Sequence, residues 1–416
     1  MLLKNKKMGR IGLLVAFVLW IGVGMAQEPE IRNTIEKFRP TNGCRIPADI
    51  KFRLGATHVG GKYCLTEEPF IIEGAKKLNE LGYGIIKLWF ANGEGNPKGY
   101  MYHSDWKVTR QTTLKELAEH PYYRRCFDMP FSVFALSISD GFPGNSTKDL
   151  TVSLAKTEED IYRLSLYLLQ TYRDREITFI IQNWEGDWLL RGGTGPDAHW
   201  EINGAPADWK LRVENMCKWV NARQRGVDRA RAEVKGGKCK VYHAVEANRV
   251  MDGRNGVPSV ATHVLPGVEI DMVSWSAYDG VSEDGVKMYE GICFLKQNMR
   301  PTAEMNGKKV VFIGEIGYPE NMANRTKEEV VRMWDTFMAV YLALDIPYVF
   351  HWELYCNELK ADEFDRKQYP SRSAADMRGF WLIRPDGSKS WAQEYLESVL
   401  KCAGERYDRM GQEIAR

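Results

Sequence analysis

Two glutamates stand where a chain of this kind does chemistry. Glu185 closes the run Ile-Thr-Phe-Ile-Ile-Gln-Asn-Trp-Glu that begins at Ile177, and Glu315 closes Lys-Val-Val-Phe-Ile-Gly-Glu, which begins at Lys309. Both runs are apolar and β-branched, the pattern of strands buried on both faces in a parallel sheet. A carboxylate at the C-terminal tip of such a strand packs nothing. In an eight-fold βα barrel, that end of the strands is the end that carries the site. Two carboxyl groups facing each other there are the minimal equipment for cleaving a glycosidic bond: one protonated as general acid, one ionised.

The elements that must position them follow in alternation. Strands are expected at 51–56, 84–90, 131–138, 177–183, 240–245, 271–276, 310–314 and 348–352, and helices at 67–81, 114–120, 157–173, 207–225, 259–263, 284–300, 326–344 and 389–400. The 157–173 helix is expected to open at Thr157, with Asp160 three residues on as a capping partner. Eight strand–helix units in strict order predict an α/β fold, a single (β/α)8 barrel over residues 51–416, preceded by a polar lead-in at 27–50. With 416 residues, 44% hydrophobic and 27% charged, one large barrel accounts for the chain.

The strand tips converge on one mouth. Strand one brings His58, strand two Trp89 and Asn92, and strand four Asn183, Trp184, Glu185 and Asp187, with Trp188 close behind. Strand five brings Glu246 and Asn248, strand six Trp275, Tyr278 and Asp279, and strand eight Trp352. The set is acidic, aromatic and amide-rich. It has no lysine cluster for phosphate and no glycine fingerprint for a nucleotide. Tyr278 is placed to donate to Glu315 and keep it ionised, while Trp184 and Trp188 lower the polarity around Glu185 and favour its protonated form. Asn183 or Asn248 is placed to donate to a sugar hydroxyl. Trp89, Asn92, Trp184, Trp188, Glu246, Asn248, Trp275 and Trp352 form the expected substrate-binding set, with Glu246 an alternative to Glu185 as the acid. His58 and His351 read as hydrogen-bonded strand residues. The chain has 7 His and no HExxH spacing, so neither a metal nor an organic cofactor is expected.

These landmarks resemble the clan A retaining glycoside hydrolases, the barrel group that includes many cellulases, mannanases and β-galactosidases. That group places its acid/base after strand four beside an Asn and its nucleophile at the end of strand seven. A Tyr follows strand six and a Trp ends strand eight. Asn183 and Glu185, Glu315, Tyr278 and Trp352 occupy the matching places, and the segment from Gly379 to Lys389 resembles the turn before the last helix. The resemblance implies double displacement on a β-linked oligo- or polysaccharide. One departure is visible: the clan's Asn directly precedes the acid/base, whereas here Trp184 intervenes. The rival expectations are a carbohydrate-binding barrel without turnover and a metal-dependent barrel enzyme.

Composition bounds the partners. Lys4, Lys6, Lys7 and Arg10 precede an apolar run from Ile11 to Val23 and small residues at Gly24 and Ala26, the layout of an export signal over residues 1–26. A secreted or periplasmic protein is expected. Loss of that segment's four positive charges takes the formal net charge from +2 to −2, which points to neither nucleic acid nor an anionic membrane as partner. The 8 cysteines are widely spaced without a CxxC; Cys44 and Cys64 flank the first strand and are candidates for a bridge. The 13 Trp, 19 Tyr and 16 Phe exceed what a core requires, so some are expected to line a groove that takes sugar rings.

Overall fold

A computed structural model describes residues 28–91, 105, 107–109, 111–138, 142–144, 150–201, 204–360 and 373–408. Asn92, Ser139 and Asp140 lie outside them, as does the proposed export signal. Eight parallel strands close into a barrel, each hydrogen-bonded to the next in chain order and the last to the first. They are β1 (Leu54–His58), β2 (Ile85–Phe90), β3 (Val133–Ile138), β4 (Thr178–Gln182), β5 (Lys240–Ala247), β6 (Met272–Ser276), β7 (Val310–Ile316) and β8 (Val349–His351).

The helices between them are α1 (Phe70–Glu80), α2 (Leu114–Glu119), α3 (Pro121–Phe127), α4 (Leu150–Thr171), α5 (Gly186–Arg191), α6 (Trp209–Glu233), α7 (Val250–Arg254), α8 (Val286–Asn298), α9 (Lys327–Ala343) and α10 (Trp391–Lys401). The single (β/α)8 barrel expected from the alternation is the fold found. Helix starts follow their caps: the Thr326 hydroxyl accepts from the Glu329 amide at the head of α9, and Ser390 from Gln393 at the head of α10.

Strand parity divides the barrel interior into layers. Side chains two apart share a face. Ile85, Val133, Ala135, Ile180, Ala244, Met272, Phe312 and Phe350 form an apolar plug in the lower barrel. One step further along the same faces the residues turn polar, as Lys87 follows Ile85, Gln182 follows Ile180, Glu246 follows Ala244 and Ser274 follows Met272. Ile86, Leu88 and Phe90 point the other way, into the core shared with the helices. The plug is thus a dry floor beneath a polar layer.

Several expected boundaries move. Helix α4 begins at Leu150, with Thr157 buried inside it, because no breaker interrupts the residues upstream. Residues 50–52 form a 3-10 turn, so β1 starts at Leu54. The segment expected as a helix at 259–263 is a single wide turn, Val260–Val264, capped by the Ser259 hydroxyl. Cys44 and Cys64 are both buried thiols, and no disulfide joins them.

Candidate active site

At the upper rim, β4 ends and the chain must turn at once into α5. The turn is made by Glu185 itself, with φ 29° and ψ 75°, a left-handed conformation that a side chain with a Cβ adopts only at a cost. Its neighbours hold it there. The Glu185 amide donates to Glu246 Oε1 at 3.0 Å. Asp187, two residues on, accepts from the amides of Asn248, Arg249 and Val260, and its own amide donates to Asn248 Oδ1. The residue intervening between Asn183 and Glu185 is therefore absorbed by a turn fastened to β5 and to the segment beyond it. Asn183 joins the same seam: Oδ1 accepts from the Glu246 amide at 3.1 Å, and Nδ2 donates to the Glu246 carbonyl at 3.4 Å.

On β7 a bulge does the corresponding work. Trp275 of β6 pairs with Ile313, but Ser276 pairs with Glu315, so Gly314 is skipped. That slip brings the Glu315 side chain inward. Gly314 tolerates no side chain: a Cβ there would stand 1.8 Å from Ser274 Oγ and 2.5 Å from Glu246 Oε2.

Both carboxyl groups are held by hydroxyls at the end of β6. Ser276 Oγ donates to Glu185 Oε1 at 2.7 Å, and the Tyr278 hydroxyl donates to Glu315 Oε1 at 3.3 Å. Glu315 is buried, while Glu185 keeps part of its surface open. Burial pushes the Glu185 carboxyl up to about 7; the Ser276 hydrogen bond opposes the rise and the Glu246 carboxylate adds to it. Burial pushes Glu315 up as well, Lys87 pulls it down, and the charge of Glu185 pushes it up. Two acids so placed resist ionising together. The Lys87 ammonium favours the ionised form of Glu315 from 3.4 Å away from its Oε2, whereas Glu185 has a neutral hydroxyl as its nearest partner.

Beneath them lies a charge network whose central residue had no assigned role in the sequence reading. Lys87 is fully buried, and its ammonium contacts Glu246 Oε2 at 3.2 Å, the Gly314 carbonyl at 2.9 Å and Glu315 Oε2 at 3.4 Å. Its signal in the sequence was a lysine at an inward position, two residues after Ile85, inside an otherwise apolar strand. Glu246 Oε2 also accepts from Gln182 Nε2 at 2.8 Å and Ser274 Oγ at 2.7 Å.

Three members of the expected binding set, Glu246, Trp275 and Asn248, are corrected by this geometry. Glu246 has no exposed surface and its oxygens are taken by four donors, so it touches no substrate and offers no proton. Trp275 is fully buried as well. Its ring packs against Gly280 and Gly291, and its indole N–H goes to Asp279 at 3.1 Å; it points from the barrel into the helix layer. Asn183 and Asn248 are nearly buried and bonded to backbone, so they serve the seam rather than a sugar hydroxyl.

The remaining aromatics lie at or just beyond the C-terminal ends of their strands. Trp89 and Trp184 are half-buried with ring centroids 6.2 Å apart and planes at 58°. Trp188 lies half-buried beside the Arg249 guanidinium at 5.4 Å. Trp352 is oriented by its indole N–H, which donates to Glu358 at 3.0 Å; Glu358 in turn takes Arg378 at 3.1 Å. His58 bonds the Phe70 carbonyl at 2.7 Å, and His351 packs on Trp334. Burial lowers the pKa of both, to about 4 and about 3. Among the described residues no group of three His, Cys, Asp or Glu could hold a metal, and no helix is long and apolar enough to cross a membrane. A depression of about 810 Å³ lies at the opposite end of the barrel, among Arg53, Phe131, Arg175 and Tyr348, away from both acids.

No family model matches the sequence, and no curated protein matches it. Solved structures do. A GH5_18 protein from Bifidobacterium longum subsp. infantis shares 13% identity over 84% of this chain and 78% of its own, with a TM-score of 0.53. A family 5 xyloglucanase from Paenibacillus pabuli shares 11% over 88% of this chain and 99% of its own, with a TM-score of 0.47. The chain spans 35% of a calcium-binding mutant of Bacteroides uniformis beta-glucuronidase 2, at 13% identity and a TM-score of 0.47. The shared feature is the fold, a closed barrel of eight parallel strands ringed by helices. The resemblance to glycoside hydrolase barrels holds at the level of fold.

Proposed function

We propose that this chain is an exported retaining glycoside hydrolase acting on β-linked oligo- or polysaccharide. One observation carries the reading: two carboxyl groups, on Glu185 and Glu315, sit at the tips of β4 and β7, each held by a hydroxyl from the same stretch of chain at the end of β6. Glu315, beside an ammonium and a phenol, is the nucleophile. Its oxygen bonds the anomeric carbon as the glycosidic C–O bond breaks, and the proton on Glu185 goes to the departing oxygen. Glu185, now a carboxylate, takes a proton from water, and the water oxygen displaces Glu315 from the sugar. This retaining course goes with carboxyl groups about 5–5.5 Å apart.

Trp352 forms the floor beside the reacting ring, and Trp89 and Trp184 offer faces further out. Export rests on the basic and apolar layout of residues 1–26. The test is a panel of β-glycans and aryl β-glycosides given to wild type and Glu315→Gln, with product configuration followed by NMR. The reading expects turnover with retention in the wild type and its loss in the variant. Equal rates in both proteins exclude Glu315, and binding without turnover in the wild type turns the reading to a carbohydrate-binding barrel.

A further inference from the structure

The mechanism above uses Glu185, Glu315 and the hydroxyls that hold them. It assigns no joint role to the most costly feature of the barrel, a lysine and a glutamate with no exposed surface placed directly beneath the site. Burying two charges is offset only when geometry is good and the remaining hydrogen-bonding capacity is filled. Here it is filled. The three protons of Lys87 have three acceptors, and Glu246 has four donors drawn from β2, β4, β6 and the turn after β4. An apolar pair of similar volume would fold as well or better by the same principle, so the pair calls for a reason other than stability.

That reason lies in where its two ends lead. One end of Glu246, Oε1, receives the amide of Glu185, the residue whose backbone sits in a left-handed conformation. The other end, Oε2, receives Lys87, whose remaining protons go to Gly314 and to the Glu315 carboxylate. A single connected path therefore joins the backbone of one reacting acid to the side chain of the other. Three different strands supply its members.

We propose that Lys87 and Glu246 act together as a positioning pair: Glu246 fastens the turn that presents the Glu185 carboxyl and steers the Lys87 ammonium onto Glu315. The inference rests on the reading of Glu185 and Glu315 as the reacting acids. Among the described residues the other charged or titratable groups that bear on the two acids are Asp187 in α5, Tyr278 after β6 and Glu353 after β8; each acid also acts on the other. A negative charge at Glu246 and a positive one at Lys87 act on the reacting acids in opposite senses, so deleting either must move their titrations in opposite directions, and deleting both must largely cancel.

The experiment is a carbon-13 carboxyl titration of glutamate-labelled protein, with the Glu185 and Glu315 resonances assigned by their loss in E185Q and E315Q. It is run on wild type, Lys87→Met, Glu246→Gln and the double variant. The expected result is a shift of about one pH unit upward for Lys87→Met and downward for Glu246→Gln, given the 1–3 units typical of a close charge, with the double variant returning to within about half a unit of wild type. Folded single variants whose two acids titrate as in the wild type would reduce the pair to packing and overturn the proposal. Should the singles fail to fold, the charge-balanced double variant decides. It has lost the ammonium contact to Glu315 and the charge that strengthens the hold on the Glu185 amide, so kcat on an aryl β-glycoside falls at least tenfold with KM within threefold; unchanged kcat overturns the proposal. The titrations need no substrate, so a wild type without glycosidase activity would sink the functional reading separately from the pair.

Discussion

Ser276 offers the sharpest test of how the environment sets Glu185. Its hydroxyl donates to Glu185 Oε1 at 2.7 Å and pulls the carboxyl down against the burial that holds it near 7. A hydrogen bond to a charged acceptor contributes about 1.5–3 kcal/mol, part of which the protonated carboxyl keeps, and about 1.4 kcal/mol corresponds to one pH unit. Ser276→Ala should therefore raise the Glu185 pKa by about one unit. Two assays read this. In kcat/KM for an aryl β-glycoside with a poor leaving group, the alkaline limb marks loss of the acid's proton and should move from about 7 upward by about one unit. With a dinitrophenyl leaving group that needs no protonation, the limb should vanish in both proteins.

The second assay is stability, where the sign is fixed by linkage. The folded Glu185 holds its proton up to about 7, whereas in the unfolded chain it loses it around 4.5. Between those values the native state binds more protons, so stability falls as pH rises through the window, by at most about 3 kcal/mol. Glu185→Gln lacks this decline, and Ser276→Ala should extend it to higher pH. An alkaline limb that stays in place, or moves to lower pH, would refute the assignment of Glu185 as the proton donor held by Ser276.

Other outcomes follow from single contacts. Gly314→Ala should cost about 1–3 kcal/mol by overpacking and lower kcat by displacing Ser274 and Glu246, seen in urea unfolding beside kinetics. Trp275→Ala should destabilise by about 3–5 kcal/mol through the cavity left beside Gly280 and Gly291, with KM unchanged in the folded fraction. Trp89→Ala should do the reverse, raising KM for a long glycan severalfold while thermal stability holds. Glu358→Gln weakens the hold on the Trp352 indole, and should lower kcat more than it lowers Tm.

Much of this protein was legible along the chain because the signals are local. Eight apolar β-branched runs, spaced by helix-length segments, leave a parallel barrel as the architecture that buries both faces of every strand. The barrel in turn dictates that the strand tips share one mouth, so Glu185, Glu315, Tyr278 and Trp352 could be placed there from their positions alone. What only the tertiary structure decided involves register and approach between distant segments. Parity along β7 puts Phe312 inward, and an unbroken strand would turn Glu315 away; the bulge at Gly314 reverses that, and it exists because β6 pairs around it. The extra residue before Glu185 is accommodated by a left-handed turn that Glu246 and Asp187 fasten from outside the strand. Trp275 and Glu246 sit at tip positions like those of Glu185 and Glu315, yet one turns into the helices and the other lies beneath those two acids. Lys87 gains its role from two carboxylates more than 150 positions away. Hydrogen bonds and charges add up through space, and the order of residues along a chain does not specify those distances until the barrel has closed.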